Sequence, residues 1–148
     1  MTTIAVNKKM IAADKQMTHS SGTKMTGATK IYELPESAAM KIFNVKRALV
    51  GFCGNVDSFA NAITWLHNPD DDPPKVKGIE MLLLTEKGIY HASTLQNWTL
   101  IKDPFFAIGT GMQFAMAAME VGKTPFEAVK IASKFDNNTG QGFNKIEL

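Results

Sequence analysis

Two short apolar runs, TTIAV and MIAAD, open the chain and are separated only by the polar residues Asn7, Lys8 and Lys9. Rich in β-branched and small residues and interrupted by a turn-like triplet, they read as a hairpin of short, partly buried strands. The fold is therefore built on strands from its first few residues. A hydroxyl side chain, Thr2, stands directly behind the initiator methionine.

The strand pattern continues. THSSGTKMTGA is dense in Ser, Thr and Gly and reads as a loop, after which KIYEL resumes a period of two and ends at Pro35. MKIFNV and ALVGFC read as a further hairpin pair around Lys46 and Arg47, the second member apolar on both faces as in a fully buried strand. At Val56 the period changes: Val56, Phe59, Ile63 and Leu66 fall at helical spacing, and NPDDDPP stops the helix in a surface turn. IEMLLLTEKGIYHAS gives two strands around Glu86-Lys87-Gly88, and FFAIGTG another strand ending on a glycine pair. Met112, Ala115, Met116 and Met119 form the stripe of a helix ending near Gly122. The last helix opens with Thr124-Pro125-Phe126-Glu127, a capping box with proline at the first helical position, and runs to about Phe135. FNKIEL supplies a short final strand. Strands, helix, strands, helices: this order predicts stacked sheets covered by helices, an α+β layered domain.

A chain of 148 residues fits one domain, 1–148, and a domain of about 150 residues buries roughly 70% of the surface its unfolded form exposes. No apolar run approaches the length of about 20 residues that spans a bilayer, so no membrane role is expected. Lys8 and Lys9 follow the first apolar stretch rather than precede it, unlike a secretory signal. The single cysteine, Cys53, cannot form an internal disulfide, in keeping with a reducing compartment, and a cytoplasmic location is expected. A net charge of +2 with scattered lysines gives no nucleic-acid footprint.

TTIAV at the start, AAD ahead of Lys30, ALVGFCG, AIGTG before a small-residue helix and DNNTG after a later one occur in the order seen in proteasome β-subunits and the bacterial protease HslV. No one string is specific, but the five together cover nearly the whole chain. It resembles the proteasome-like N-terminal nucleophile hydrolases, in a short form. The resemblance implies a four-layer αββα sandwich, two stacked antiparallel sheets between helices. Only one helix fits between Gly54 and the strand near Ile79, where the relatives carry two, so one helical layer is expected to be reduced and Pro35 to Lys46 to form an enlarged hairpin.

By the same resemblance Thr2 becomes the first residue once Met1 is removed, and carries nucleophile and base together. A threonine hydroxyl needs something to take its proton, and an α-amine with a pKa of about 7.7–8.0 is partly neutral near pH 7. Lys30 matches the family's active-site lysine and Asp14 its partner, with Lys41 as the competing lysine. Gly54 matches the backbone donor that stabilises the oxyanion, with Gly51 as the weaker choice. Thr110 takes the place of a family serine touching the amine, and Asp136 and Thr139 match residues that orient it. Backbone carbonyls of Ser133, Asp136 and Thr139 occupy the places that hold a monovalent cation, Na+, in HslV-like relatives; no other cofactor is implied. The expected activity is that of a threonine peptidase acting on peptides or unfolded protein within a homo-oligomeric ring, with an AAA+ unfoldase ATPase as partner. A small-amide amidase and an inactive ring or scaffold homologue are the alternatives. Cys53 with His19 or His91 as base is a weaker reading, since an apolar strand flank raises a thiol pKa.

Overall fold

The computed structural model describes residues 2–70 and 72–148. Met1, whose removal the sequence reading requires, and Asp71, in the expected surface turn, lie outside the described residues.

The opening hairpin is β1 (Thr3–Asn7) and β2 (Met10–Asp14), closed by the Asn7 side-chain oxygen, which accepts from the N–H groups of Lys9 (2.8 Å) and Met10 (2.9 Å). A two-residue ladder, β3 (Met17–Thr18) with β4 (Lys24–Met25), starts one residue ahead of the segment read as a loop and runs into it. Next come β5 (Ile31–Glu33), α1 (Glu36–Phe43), β6 (Ala48–Gly54), α2 (Val56–His67), β7 (Ile79–Thr85), β8 (Gly88–Ala92) and β9 (Thr99–Ile101). The chain ends with β10 (Phe105–Gly109), α3 (Met112–Glu120), α4 (Pro125–Phe135) and β11 (Phe143–Glu147). One sheet has the order β10-β1-β2-β11 and the other β5-β6-β7-β8-β9, every pairing antiparallel.

Alternation along the strands separates three apolar layers. Ile4, Val6, Ile11 and Ala13 of the first sheet meet Leu49, Leu82, Leu84 and Ile89 of the second. On the far side of the first sheet, Ala5, Ala12 and Ala107 leave room for α3 and α4 to dock through Ala115, Ala128 and Ala132. On the far side of the second, Val50, Phe52, Met81 and Leu83 pack against α1 and α2 through Ala39, Ala62 and Leu66. The result is the expected αββα sandwich. Gly51 lets the two sheets approach closely, since a Cβ there would lie 2.7 Å from Ile4 Cγ2.

The segment read as MKIFNV paired with ALVGFC is instead α1 and its C-terminal turn, and the enlarged hairpin does not form. Ala38, Ala39, Ile42 and Phe43 make a helical stripe over the second sheet, and Asn44 ends it in the left-handed conformation, φ 54°. Both hydrogen-bonding edges of β6 are taken by β5 and β7. Among the described residues the helical layer on this side thus has two members, α2 alone lying between Gly54 and Ile79.

Candidate active site

The register of the opening hairpin, Ile4 opposite Ala13, brings the start of β1 beside the end of β2. Asp14, at that end, is fully buried and heavily used. Its carboxylate accepts from Lys30 Nζ (2.8 Å), from the backbone N–H groups of Thr3 (3.1 Å), Gln16 (3.3 Å) and Gly140 (3.0 Å), and from the Thr2 hydroxyl. Lys30, just ahead of β5, also donates to Thr2 Oγ1. The Thr2 oxygen is therefore gripped by both members of an ion pair, giving its proton to the carboxylate and receiving one from the ammonium. Burial pulls the Lys30 pKa below its ordinary value, against the opposing attraction of Asp14. Lys41 is on the exposed face of α1, with no part in this cluster.

Gly54 ends β6. The N–H of Phe52 meets the carbonyl of Lys30 (3.0 Å), and that of Asn55 meets Gly78 on the opposite side (2.7 Å). Alternation turns the Gly54 N–H to the same side as Phe52, past the start of β5 at Ile31, where no strand faces it. Glycine is needed here for two reasons: φ is +115°, and a Cβ would lie 2.1 Å from the Gly78 carbonyl oxygen. Gly51, by contrast, lies within the β6 ladder between the sheets.

A second polar group stands on the other side of β1. Thr110 and Thr139 each donate a hydroxyl to Asp136 Oδ2 at 2.6 Å, and the Asn138 N–H reaches Oδ1 at 3.1 Å. Burial opposes the charge on Asp136, but the two hydroxyls and the amide outweigh it and hold the carboxyl below its usual range. The Thr110 hydroxyl is thus directed to Asp136. The Asp136 carbonyl accepts from the Thr139 N–H at 3.1 Å, and the Ser133 side chain bonds the Lys130 carbonyl. The last described α-helical bond of α4 runs from the Asp136 N–H to Ala132, leaving the Ser133 carbonyl among the unsatisfied ones of a helix end, a donor type that suits a hard monovalent cation.

Three residues near Thr2 escaped the sequence reading. Thr3 is fully buried, its Oγ1 2.7 Å from Thr139 Oγ1. Gly109 and Gly111, the pair in IGTG, are where the chain crosses the start of β1: a Cβ on Gly109 would lie 2.0 Å from the Thr2 carbonyl oxygen, and one on Gly111 2.0 Å from Thr3 Oγ1. The glycine spacing was the available signal.

Two clefts meet at Cys53 and Gly54. One, of about 420 Å³, contains Thr2 and Lys30 and has Tyr32, Phe52 and Phe59 in its walls. The other, of about 650 Å³, is bounded by Lys77, Glu80, Gly109 and Thr110. Burial pushes the Cys53 thiol up to about 11. Such a thiol is almost wholly protonated at neutral pH and is a poor nucleophile.

Neither a protein-family model nor a curated protein matches the chain. Solved structures do. BPH of Thiobacillus denitrificans superposes with a TM-score of 0.72 at 16% identity, over 99% of this chain and 97% of that one. Eukaryotic HslV of Trypanosoma brucei gives 0.67 at 18% identity, over 99% and 98%. Anbu, the ancestral β-subunit, of Yersinia bercovieri gives 0.71 at 11%, over 100% and 82%. The chain thus has the fold of the proteasome-like N-terminal nucleophile hydrolases, as its sequence resemblance implied.

Proposed function

We propose that this chain is a threonine peptidase whose nucleophile is Thr2 Oγ1, acting after Met1 has been removed. The observation that carries the reading is the placement of that oxygen between Lys30 and Asp14, at the edge of a cleft that Gly54 also lines. Any N-terminal extension turns the α-amine into a non-basic amide, so the base exists only in the processed chain.

In this scheme the Thr2 hydroxyl attacks the scissile carbonyl carbon while its proton passes to the α-amine, directly or through water. The Lys30 ammonium lowers the cost of removing that proton, and Asp14 keeps the lysine charged and aimed. Negative charge developing on the carbonyl oxygen is met by the Gly54 N–H. The C–N bond breaks, the amine product leaves with the proton, and an ester to Thr2 remains. Water, deprotonated by the same α-amine, hydrolyses that ester and restores the hydroxyl. The aromatic walls of Tyr32, Phe52 and Phe59 suit an apolar side chain on the acyl side of the bond. A Na+ ion on the carbonyls of Ser133, Asp136 and Thr139 would brace the loop that carries Asp136.

The test is chemical. BPH has been solved in complex with epoxomicin, and a peptide epoxyketone needs a hydroxyl for its ketone and an amine for its epoxide. Intact mass should show the chain without Met1, and peptide mapping should place one such adduct on the N-terminal peptide. Active protein that retains Met1, or an adduct on Cys53, would overturn the assignment.

A further inference from the structure

Thr3 takes part in both halves of the site, and it is not the nucleophile. Alternation along β1 turns Thr3 with Ala5 to the side of α3 and α4, whereas Ile4 faces the second sheet. The Thr3 backbone N–H is held by Asp14 (3.1 Å), the carboxylate that also holds Lys30 and the Thr2 hydroxyl. Its side chain reaches the opposite half, where Thr139 and Asp136 stand.

The order of protons in that half follows from chemistry. Asp136 is held below the usual carboxylate range, and an ionised carboxylate only accepts. Thr139 has one hydroxyl proton, and at 2.6 Å it is given to Asp136. The 2.7 Å contact between Thr3 Oγ1 and Thr139 Oγ1 must then be a donation from Thr3. The chain of bonds runs from Thr3 to Thr139 to Asp136, with Thr110 entering Asp136 from the other side. Gly111 makes room for this, because any Cβ there would collide with Thr3 Oγ1.

We propose that Thr3 is a positioning residue: its buried hydroxyl, bonded through Thr139 to Asp136, fixes where the Thr2 α-amine and hydroxyl sit relative to Lys30. The inference rests on the threonine-peptidase reading and deepens it. A first residue has a single covalent attachment, and chain ends fray unless tied down. Thr2 is held by its own hydroxyl, and a further tie lies one residue in, on both the backbone and the side chain of Thr3. Misplacing a reacting group by about 1 Å costs on the order of 100-fold in rate, so the anchor should show in turnover and not in substrate affinity.

Thr3→Val keeps the shape and β-branching and removes only the hydroxyl, while Thr3→Ser keeps the hydroxyl and drops the methyl. With the processed protein and a peptide amide, Thr3→Val is expected to lower kcat by about 10- to 100-fold with KM within about twofold, and Thr3→Ser to recover most of it. Adding Thr3→Val to Thr139→Val should cost little more, since without the Thr139 hydroxyl the Thr3 hydroxyl has no link to Asp136. Independently of turnover, the Thr2 methyl resonance in the NMR spectrum should move in Thr3→Val and return in Thr3→Ser. An unchanged kcat in a folded Thr3→Val variant, equal losses in Val and Ser variants, or a Thr2 methyl that does not move would overturn the proposal. Absence of any Thr2-dependent hydrolysis in the unmutated chain would instead defeat the peptidase reading, and the methyl resonance would still decide the role of Thr3.

Discussion

At the scale of single residues, the site depends on one oxygen held by an ion pair, and the choice of lysine is testable. Lys30→Arg keeps a cation beside Asp14 but carries it on a planar fork that fits the Thr2 contact poorly. It should lower turnover on the order of 100-fold while the protein stays folded. Lys41→Ala, on an exposed helix face, should leave turnover unchanged and stability within about 0.5 kcal/mol. The reverse pattern in peptide hydrolysis would relocate the active-site lysine. Cys53 gives a second check: with a pKa of about 11, roughly one thiol in a thousand is ionised at pH 8. Alkylation by iodoacetamide should therefore rise about tenfold per pH unit up to pH 11; a plateau near pH 9 would show an ordinary thiol. Asp14 and Lys30 were legible because a family pattern supplied their partnership; nothing in their spacing says that both meet residue 2. Thr3, Gly109 and Gly111 were not, because their roles exist only where the IGTG turn crosses the start of β1 within 2.0 Å of a would-be Cβ.

At the scale of elements, local rules read well where caps and turns were explicit. The α4 capping box is present in both directions, with the Glu127 N–H donating to Thr124 Oγ1 (3.2 Å) and the Thr124 N–H to Glu127 Oε1 (3.0 Å). Thr124→Ala should cost about 1 kcal/mol by thermal or denaturant unfolding, with kcat unaltered, because the cap is at the end of α4 away from Asp136. A loss of turnover beyond the loss of folded protein would tie the cap to the site. The failure was α1. Taken alone, MKIFNV is a short apolar run that suits a strand, but the buried pair Ala38 and Ala39 with Ile42 and Phe43 has the helical period, and the Phe43 ring meets Trp98 at 5.2 Å, a contact far away in sequence. A segment of eight residues is too short for periodicity alone to decide.

At the scale of the whole molecule, the layer order was readable because the strands sort their side chains by size: large aliphatics toward the facing sheet, alanines toward α3 and α4. How copies assemble was not, since outer faces carry no periodic signal. Phe114, Val121 and Phe135 are exposed on or beside α3 and α4, the two rings stacked at 5.4 Å. An apolar outer face of this kind, together with the proposed peptidase activity, fits a closed homo-oligomer whose Thr2 sites face an inner chamber. Light scattering over a concentration range should give one mass at a fixed multiple of the 16.2 kDa chain. A monodisperse monomer at micromolar concentration would remove the chamber and favour an amidase acting on small amides.

If Thr2 Oγ1 is the nucleophile, Thr2→Ala should end hydrolysis of a peptide amide. The substitution deletes one hydroxyl and one methyl at the edge of β1 and leaves Asp14 bonded to Lys30, Thr3, Gln16 and Gly140. The variant should be a folded protein, freed of Met1, whose turnover falls to the uncatalysed background. Thr2→Ala protein that still cleaves the amide at a substantial fraction of the original rate would contradict that role for Thr2.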